Sequence, residues 1–415
     1  MKRVVITGLG AITPIGKNVN QYWENLLKGV SGANKITRFN ASKFKTQFAC
    51  EIKDYDALDY FDRKEARKLD RFSQYGLISA EEAIKDANLD FSKLDTNRIG
   101  VIFSSGIGGF ETFEKEIIDY TNGNFNPRFN PFFIPKIISN GLSGIISINN
   151  GLRGVNYCPV TACASSTQSI IQSFNYIRLG KADIIIAGGS EAPITESSIG
   201  GFNAMKAMST NNENFSSASK PFDTNRDGFV VGEGAGALII ESLDSALKRN
   251  ANIYAEIVGG GESSDAYHIT GTHPEGLGAY LAMENGIKEA KITPNEIEYI
   301  NAHATSTGLG DLSEIKAIER LFKSSIEKVQ ISASKSMTGH LLGGTGAIEA
   351  ISTCLSVKTD LIPPTINTTE IDKNIPKELN LSLGETSSKK VNYALSNSFG
   401  FGGHCSAMIL KKYVG

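Results

Sequence analysis

Cysteine is scarce in this sequence, and its scarcity limits the chemistry the chain can carry. Five cysteines occur among 415 residues, an odd number at irregular spacing, which favours reduced thiols over a framework of disulfides. Neither a C-x-x-C pair nor an H-E-x-x-H segment is present, so the pattern predicts no metal site. At most one cysteine is therefore expected to be chemically special.

Long apolar runs and an excess of one charge are missing as well. No stretch reaches the ~20 apolar residues that a membrane-spanning helix needs. Lys and Arg total 42 against 44 for Asp and Glu, and this balance excludes a global attraction to nucleic acid or to an anionic membrane. The apolar segment after Met1–Arg3 is interrupted by Gly, Thr and Pro, which predicts a buried strand rather than a secretory signal. We expect a cytoplasmic protein.

Strands and helices alternate along the chain, and 40% of the residues are hydrophobic, enough for a large core. Short segments rich in Val and Ile predict buried strands, namely RVVITGLG, RIGVIFSSG, ADIIIAGGS, AGALIIES, IEYINAHA and VQISAS. Helical periodicity covers residues 70–87, 166–179, 278–290 and 312–322. The alternation predicts an α/β fold with largely parallel, buried sheets.

Two segments of the chain echo each other. The segment ACASSTQSIIQSFNYIRLGKADIIIAGG resembles GHLLGGTGAIEAISTCLSVKTDLIPP, with His340 where the first has Cys163. Each half also begins with a strand, near VVITGLG or YAEIVGGG. We therefore predict two related halves, 1–250 and 251–415, that share one core and meet between residues 245 and 255.

Two further motifs resemble ligand sites but fit them poorly. Gly8-Leu9-Gly10 follows a strand, yet the third glycine of a dinucleotide fingerprint would fall at Thr13. The segment from Asp223 to Gly228 copies the start of a calcium loop, but position twelve is Gly234 where a bidentate Glu is required. A structural loop is the preferred interpretation of this segment.

Cys163 and two histidines carry the strongest chemical signal. Cys163 directly precedes an apolar-periodic helix, whose N-terminal N–H groups would favour thiolate and lower the pKa of the thiol. His303 in NAHATST and His340 in SMTGHLLGGTG follow predicted strands, and active sites of α/β folds gather at strand ends. Taken one at a time, a structural role remains the alternative for each of the three. The other four cysteines, Cys50, Cys158, Cys354 and Cys405, are interpreted as structural.

A set of motifs in chain order resembles the β-ketoacyl-acyl carrier protein synthases, specifically the type II enzymes of dissociated fatty-acid synthesis. The motifs are VTACASS, PFDTNRDGFVVGEGAG, SSDAYHIT, NAHATSTGLGD, SASKSMTGHLLGGTGAIEA, IPPTIN and NSFGFGGH. The resemblance implies a thiolase-like fold, with two pseudo-repeated halves in a five-layered αβαβα arrangement, and a homodimer. It implies decarboxylative condensation of an acyl group, held on Cys163, with malonyl-acyl carrier protein, and no cofactor beyond the carrier's phosphopantetheine.

The same resemblance implies roles for residues around the nucleophile. His303 and His340 would complete a Cys-His-His site, with Lys335 supporting the histidines and Glu349 as the carboxylate partner of Lys335. Phe401 would be a mobile gate whose backbone N–H joins that of Cys163 in an oxyanion hole.

Residues farther from the nucleophile are also implied by the resemblance. Thr305 and Thr307 would line the pantetheine arm, and Asp265 and Asp311 match polar positions near the site. For docking of the acidic carrier protein we expect a basic patch at Lys64, Arg67 and Lys68, with Lys206 as a weaker candidate; a solvated helix face is the alternative. Ile107 and Phe133 are candidates for the acyl pocket, with core packing as the alternative.

Two positions depart from the family pattern, and three other functions compete. Ala304 replaces a usual glycine and Cys405 a usual asparagine, which puts only the local loop conformation and its hydrogen bonds in doubt. A thiolase would need a second catalytic cysteine, for which Cys405 is the nearest candidate, and a starter-unit synthase would carry Asn at His340. A non-catalytic chain-length partner would lack the nucleophile, so the presence of Cys163 argues against it.

Overall fold

The computed structural model describes residues 1–415, except for the side chain of Ser324. Within the described residues the strands are β1 (Val4–Ile12), β2 (Asn34–Lys35), β3 (Phe48–Ala49), β4 (Ile99–Ser104), β5 (Asn156–Tyr157), β6 (Ile184–Glu191), β7 (Gly234–Ser242), β8 (Ala255–Ser264), β9 (Tyr299–Asn301), β10 (Gln330–Ser332), β11 (Leu361–Ile362), β12 (Asn380–Leu381), β13 (Ser387–Ser388), β14 (Tyr393–Gly400) and β15 (His404–Lys411). The helices are α1 (Val19–Leu27), α2 (Arg63–Ala66), α3 (Arg71–Asp86), α4 (Phe110–Asn122), α5 (Phe133–Ile137), α6 (Gly141–Asn150), α7 (Ser165–Arg178), α8 (Glu196–Ala204), α9 (Leu243–Lys248), α10 (Leu277–Ala290), α11 (Gly308–Phe322), α12 (Lys335–Thr338) and α13 (Thr345–Thr359).

The predicted helices lie close to their expected bounds, with one informative exception. Asp70 caps α3 by accepting the backbone N–H of Phe72 at 3.2 Å, so that helix begins one residue later than the periodicity indicated. Helix α11 begins at Gly308, four residues earlier than predicted. Its two glycines fall in the first turn, where the backbone N–H groups have no helical partner in any case, so they do not delay the helix.

Eleven strands form one sheet in the order β12-β10-β9-β14-β15-β8-β1-β7-β6-β4-β5. The order is mirrored about the junction of β8 and β1. Reading outward on one side gives β1-β7-β6-β4-β5, and reading outward on the other gives β8-β15-β14-β9-β10. Corresponding pairs run in the same sense on both sides, so the fold consists of two pseudo-repeated halves.

The expectation of largely parallel sheets is wrong for the centre of the molecule. Pairing is parallel only toward the two edges, between β6, β4 and β5 and between β14, β9, β10 and β12. The five central pairs, from β14 to β6, are antiparallel. A strand buried on both faces is apolar along its whole length whether its neighbour is parallel or antiparallel. The apolar segments therefore could not distinguish parallel from antiparallel pairing.

Helices cover both halves of the sheet and separate them, which gives the five αβαβα layers. Helices α3 and α6 pack on the outside of the first half, and α10 and α11 on the outside of the second. Between the halves lie α7 and α13, which contact each other and the strands of both halves. The middle layer buries apolar side chains such as Ile170, Ile348 and Ile351 together with polar ones, among them Ser352, whose hydroxyl accepts from Asn301 of β9 at 3.0 Å.

The sequence alignment of His340 with Cys163 in the two similar segments is wrong. Two short 3-10 turns, Ala162–Ala164 and Leu342–Gly344, lead into α7 and α13 and begin with residues of positive φ, +50° at Ala162 and +47° at Leu342. The turns therefore correspond, which makes Gly343 the counterpart of Cys163, with His340 three residues earlier. The division of the chain into 1–250 and 251–415 stays a prediction.

None of the helices in the described part of the chain combines the length and the apolar character needed to cross a bilayer.

Candidate active site

Cys163 lies in the turn before α7, with only 7% of its surface exposed. The left-handed backbone of Ala162 turns the chain sharply there, so the thiol is presented at the helix N-terminus. The backbone N–H groups of Phe401 and of Cys163 itself both point toward the sulfur. Two donors converging beside a thiol are the geometry that an oxyanion hole requires.

The prediction of a lowered thiol pKa is wrong for this structure. Burial raises the pKa of Cys163 to about 12, and the charge of Glu191 adds to the increase. Lys335 and the N–H groups of Phe401 and Cys163 act in the opposite direction but do not offset the desolvation. Cys163 is therefore a thiol at neutral pH, and it would have to lose its proton to act as a nucleophile.

His303 and His340 face each other in the same cavity. Their ring centroids are 5.4 Å apart and the rings are nearly perpendicular, at 86°. Burial is the main cause that lowers the pKa of both imidazoles well below the ordinary histidine value, and the positive charge of Lys335 lowers both further. Both rings are therefore neutral at neutral pH, which leaves each able to donate one hydrogen bond.

Separate contacts hold the two rings in place. Nδ1 of His340 lies 3.0 Å from the hydroxyl of Thr345 at the start of α13. The backbone N–H of His303 donates to Glu314 at 2.9 Å, and the N–H of Ala304 donates to the same carboxylate at 2.7 Å. The loop that carries the unusual Ala304 is thus fixed by a carboxylate on α11. Phe399 and Phe229 pack edge-on against His303 and His340 respectively.

Lys335 and Glu349 form a buried ion pair behind the histidines. The ammonium donates to Oε1 of Glu349 at 2.6 Å, and Ser334 donates to the same oxygen at 2.9 Å. Burial raises the pKa of Glu349 to about 7, although its hydrogen bonds and the Lys335 charge oppose the increase. Lys335 influences all three members of the Cys-His-His group through its charge rather than by contact.

A cleft of about 310 Å³ joins these groups to the surface. Many of the residues singled out from the sequence line it, namely Cys163, Lys206, Asp265, His303, Thr305, Thr307, His340 and Phe401. The hydroxyls of Thr305 and Thr307 lie 3.2 Å apart along its wall. Asp265 receives N–H bonds from His273 and Gly278, which ties the loop at the mouth of the cleft together.

The remaining candidates lie outside this cleft. Ile107 packs in the apolar cluster that contains Cys163, whereas Phe133 stacks on Phe129 and Phe113 in an aromatic group. Their role in an acyl pocket stays a prediction. Lys64, Arg67 and Lys68 form a separate surface depression with Arg63 and Phe132.

The loop from Asp223 to Gly228 has a structural role. Oδ2 of Asp223 accepts N–H bonds from Thr369 and Glu370, and Oδ1 accepts one from Asn225, so its carboxylate closes a turn. The buried Arg226 pairs with Asp372 and Asp311. Asp311 in turn accepts the N–H groups of Ser306 and Thr307, so its contribution is to shape the loop beside the cleft. In the described part of the chain, no group of three or more His, Cys, Asp or Glu side chains is arranged to hold a metal ion.

Glu314 and Glu191 are important positions that the motif analysis missed. Glu314 lies three residues after Asp311, so both face the same loop from the first turns of α11, and that spacing was visible in the sequence. Glu191 carried no comparable signal, because its partners are distant in sequence.

Comparison with known proteins places this fold and site in a family. The family model described as "Beta-ketoacyl synthase, N-terminal domain" matches residues 1–246, and "Beta-ketoacyl synthase, C-terminal domain" matches residues 254–369. The chain therefore belongs to the β-ketoacyl synthase family. It is a condensing enzyme, an acyltransferase with the thiolase-like fold.

Individual relatives match over the whole length. The chain is 48% identical over 415 residues to 3-oxoacyl-[acyl-carrier-protein] synthase 2 of Staphylococcus aureus (strain COL), covering 99% of both chains. It is 45% identical over 413 residues to the protein of that name from Synechocystis sp., covering 99% of this chain and 98% of the relative.

Solved structures agree with this assignment. A type II polyketide ketosynthase, solved in complex with its acyl-carrier protein and bound to the hexaketide, superposes with a TM-score of 0.92 at 33% identity, covering 99% of this chain and 100% of that one. A β-ketoacyl synthase from Burkholderia phymatum gives 0.92 at 32% identity, with full coverage of both chains.

Proposed function

We propose that the chain elongates fatty acids by condensing an acyl group, held on Cys163, with malonyl-acyl carrier protein, which yields 3-oxoacyl-acyl carrier protein and CO2. The observation that carries the proposal is the convergence of Cys163, His303 and His340 on one cleft whose two histidines are neutral. The name of two full-length relatives, 3-oxoacyl-[acyl-carrier-protein] synthase 2, supports the proposal.

The first half-reaction moves the acyl group to the enzyme. The Cys163 sulfur attacks the thioester carbon while the N–H groups of Cys163 and Phe401 stabilise the oxyanion. The proton that the thiol loses passes to a neutral imidazole and from there to the departing carrier thiolate. The carbon–sulfur bond of the carrier breaks as the new one forms, so no external acid or base is consumed.

The second half-reaction removes CO2. We assign the proton of the neutral His340 ring to Nε2, so that Nδ1 accepts from the Thr345 hydroxyl and Nε2 donates to the malonyl thioester oxygen. His303 supplies the second donor. As CO2 leaves, the electrons of the broken carbon–carbon bond form an enolate whose negative charge lies on this oxygen. The enolate carbon then attacks the acyl carbon as the bond from that carbon to the Cys163 sulfur breaks, and the released thiolate takes a proton from water to restore the thiol. Decarboxylation drives formation of the carbon–carbon bond, and no redox cofactor is needed.

The carrier protein is proposed to dock on positive charge. Lys64, Arg67 and Lys68 surround one depression with the ring of Phe132, and Lys206 lies on the cleft itself. The acidic carrier fits such a surface, and a ketosynthase of the same fold has been solved with its carrier protein.

A homodimer is also proposed. In the single chain, apolar side chains around α4 and α5 are exposed, for example Phe125 at 64% and Ile134 at 58%. A second copy would cover them, since contiguous apolar surface of this kind marks protein interfaces. Sedimentation velocity should show a dimer, and a monomer would refute this part of the proposal. The cytoplasmic location stays a prediction.

The activity is tested by supplying acyl-carriers of different lengths and then malonyl-carrier. Intact mass should locate each acyl adduct on Cys163, and the subsequent product should be the chain lengthened by two carbons. An adduct on another residue, or lengthening without an adduct, would refute the proposal.

A further inference from the structure

Glu191, at the end of β6, is a fully buried carboxylate that the mechanism above does not use. Its Oε1 accepts the Ser105 hydroxyl at 2.6 Å and the Ile107 N–H at 3.2 Å. Its Oε2 accepts the N–H of Gly106 at 2.8 Å and that of Gly343 at 3.0 Å. All four donors are uncharged.

Burial raises the pKa of Glu191, whereas these four hydrogen bonds lower it and so favour the anion. A carboxylate offers about four lone-pair positions, and a donor occupies each one here, so a proton on either oxygen would displace an existing bond. A buried charge without a cationic partner is costly, and proteins keep such groups chiefly where they serve a function. Glycine lines the cradle because larger residues do not fit: a Cβ on Gly343 would lie 2.6 Å from Oε2, and one on Gly106 would lie 2.9 Å from it.

The pseudo-repeat relates the contact between Glu191 and Gly343 to the contact between the end of β14 and the Cys163 turn. Strand β14 of the second half ends at Gly400, against the turn of the first half that holds Cys163. Its counterpart, β6 of the first half, ends at Glu191, against the turn of the second half that holds Gly343, and the Gly343 N–H donates to the Glu191 carboxylate. The Glu191 carboxylate therefore occupies, beside the Gly343 N–H, the place that corresponds to the proposed substrate oxyanion beside the Cys163 N–H.

The consequence is a mechanical link between two parts of the site. Gly343 belongs to the turn directly after His340, whereas Gly106 and Ile107 belong to the loop after β4 that packs beside Cys163. We propose that Glu191 is a positioning residue, whose carboxylate fixes the turn after His340 against the loop after β4 and so holds His340 where the malonyl thioester must bind. This role rests on the proposed condensation.

An electrostatic effect accompanies the link. Burial is the main reason that the pKa of the Cys163 thiol is raised, and the charge of Glu191 raises it further. Loss of that charge should therefore make Cys163 more reactive while leaving His340 less well placed. Replacing a purely structural residue would not make Cys163 more reactive while slowing the step that depends on His340.

Three variants of the full-length protein test the inference. Glu191→Gln keeps the shape but turns an NH2 group toward two N–H donors, and Glu191→Asp keeps the charge. Glu241→Gln is the matched control, because Glu241 is equally buried but contacts Thr7, Ser245 and Arg249 away from the cleft. For each variant we would measure thermal unfolding, acyl-enzyme mass at Cys163, CO2 release from malonyl-carrier, and the alkylation rate of Cys163 by iodoacetamide.

Glu191→Gln should release CO2 at least about tenfold more slowly while acyl transfer stays within about threefold of wild type or becomes faster. Alkylation of Cys163 should accelerate, Glu191→Asp should recover part of the CO2 release, and Glu241→Gln should alter only stability. Equal losses in both half-reactions, or no loss in either, would overturn the positioning role. If Glu191→Gln does not fold, Glu191→Asp must show the same split in weaker form, and normal behaviour of that variant would overturn the role.

The controls also separate this inference from the proposed function. Wild-type enzyme that neither acylates nor condenses would refute the function. Alkylation, which needs no carrier substrate, would still report whether Glu191 acts on Cys163.

Discussion

Gly400 packs directly against Cys163: a Cβ at Gly400 would lie 3.0 Å from the backbone nitrogen of Cys163 and 2.5 Å from the carbonyl oxygen of Thr161. The end of β14 is thus in close contact with the turn that contains Cys163. Because the next residue, Phe401, contributes the other N–H beside the sulfur, this contact sets the spacing of the two donors.

Gly400→Ala should therefore damage acyl transfer. A methyl group would push β14 away from the turn and separate the donors, and loss of one oxyanion donor costs about 100- to 1,000-fold in other enzymes. Acyl-enzyme formation followed by mass spectrometry measures the effect. Gly201→Ala is the control, because a Cβ there meets no atom within 4 Å. Unchanged acylation by Gly400→Ala would show that the spacing is not set by this contact.

Phe401 offers a test of gating. Two backbone hydrogen bonds hold the loop after it. The N–H of Gly402 donates to the Ile269 carbonyl at 2.7 Å, and the carbonyl of Gly403 accepts from the backbone N–H of Asp265 at 2.8 Å. Phe401→Ala should slow condensation by about tenfold or more with little loss of stability, because the loop conformers would no longer order substrate entry. Turnover and thermal unfolding are measured together, and normal turnover would remove Phe401 from the mechanism.

The buried pair Lys335–Glu349 predicts an unusual pH dependence. Because burial and Lys335 lower the pKa of His303 and His340 well below the ordinary value of 6.5, protonation of the histidines should cause no loss of CO2 release near pH 6.5 in the wild type. Replacing both partners, Lys335→Met with Glu349→Gln, removes the positive charge without leaving an unpaired buried ion. The histidine pKa values should rise, so activity should be lost at a higher pH than in the wild type as the medium is acidified. An unchanged profile would mean that Lys335 does not tune the histidines.

The basic patch can be tested by charge reversal. Changing Lys64, Arg67 and Lys68 to Glu should raise KM for carrier-bound substrates and weaken its salt dependence, because favourable attraction at the surface is lost. A small pantetheine thioester should be used at the normal rate. Reversal of the exposed Lys373, Lys377 and Lys390 is the matched control. Equal losses with both kinds of substrate would point to misfolding and contradict the docking role.

Much of the fold and the reactive groups could be predicted from sequence because both leave local signals. Buried strands are apolar runs, and Cys163, His303 and His340 stand in small-residue contexts at the ends of elements. The predictions that were wrong or missing concern features that depend on packing between segments distant in sequence. The pKa of Cys163 follows from its burial, the central antiparallel pairing follows from the junction of the two halves, and Glu191 meets donors 85 and 152 residues away.

The central claim is that nucleophile and enolate stabilisers are different residues. Cys163→Ala removes the atom that holds the acyl chain but leaves His303 and His340 in the cleft. Acylation and condensation should vanish in this variant, whereas slow CO2 release from malonyl-carrier should survive.

His303→Ala should behave in the opposite sense. The oxyanion donors of Cys163 and Phe401 remain, so acyl transfer should be partly retained, while decarboxylation falls by orders of magnitude. The decisive measurement sets labelled CO2 release beside acyl-enzyme mass for the two variants. The two variants should show opposite losses in the two half-reactions; condensation by Cys163→Ala, or normal decarboxylation by His303→Ala, would contradict the division of roles between Cys163 and the histidines.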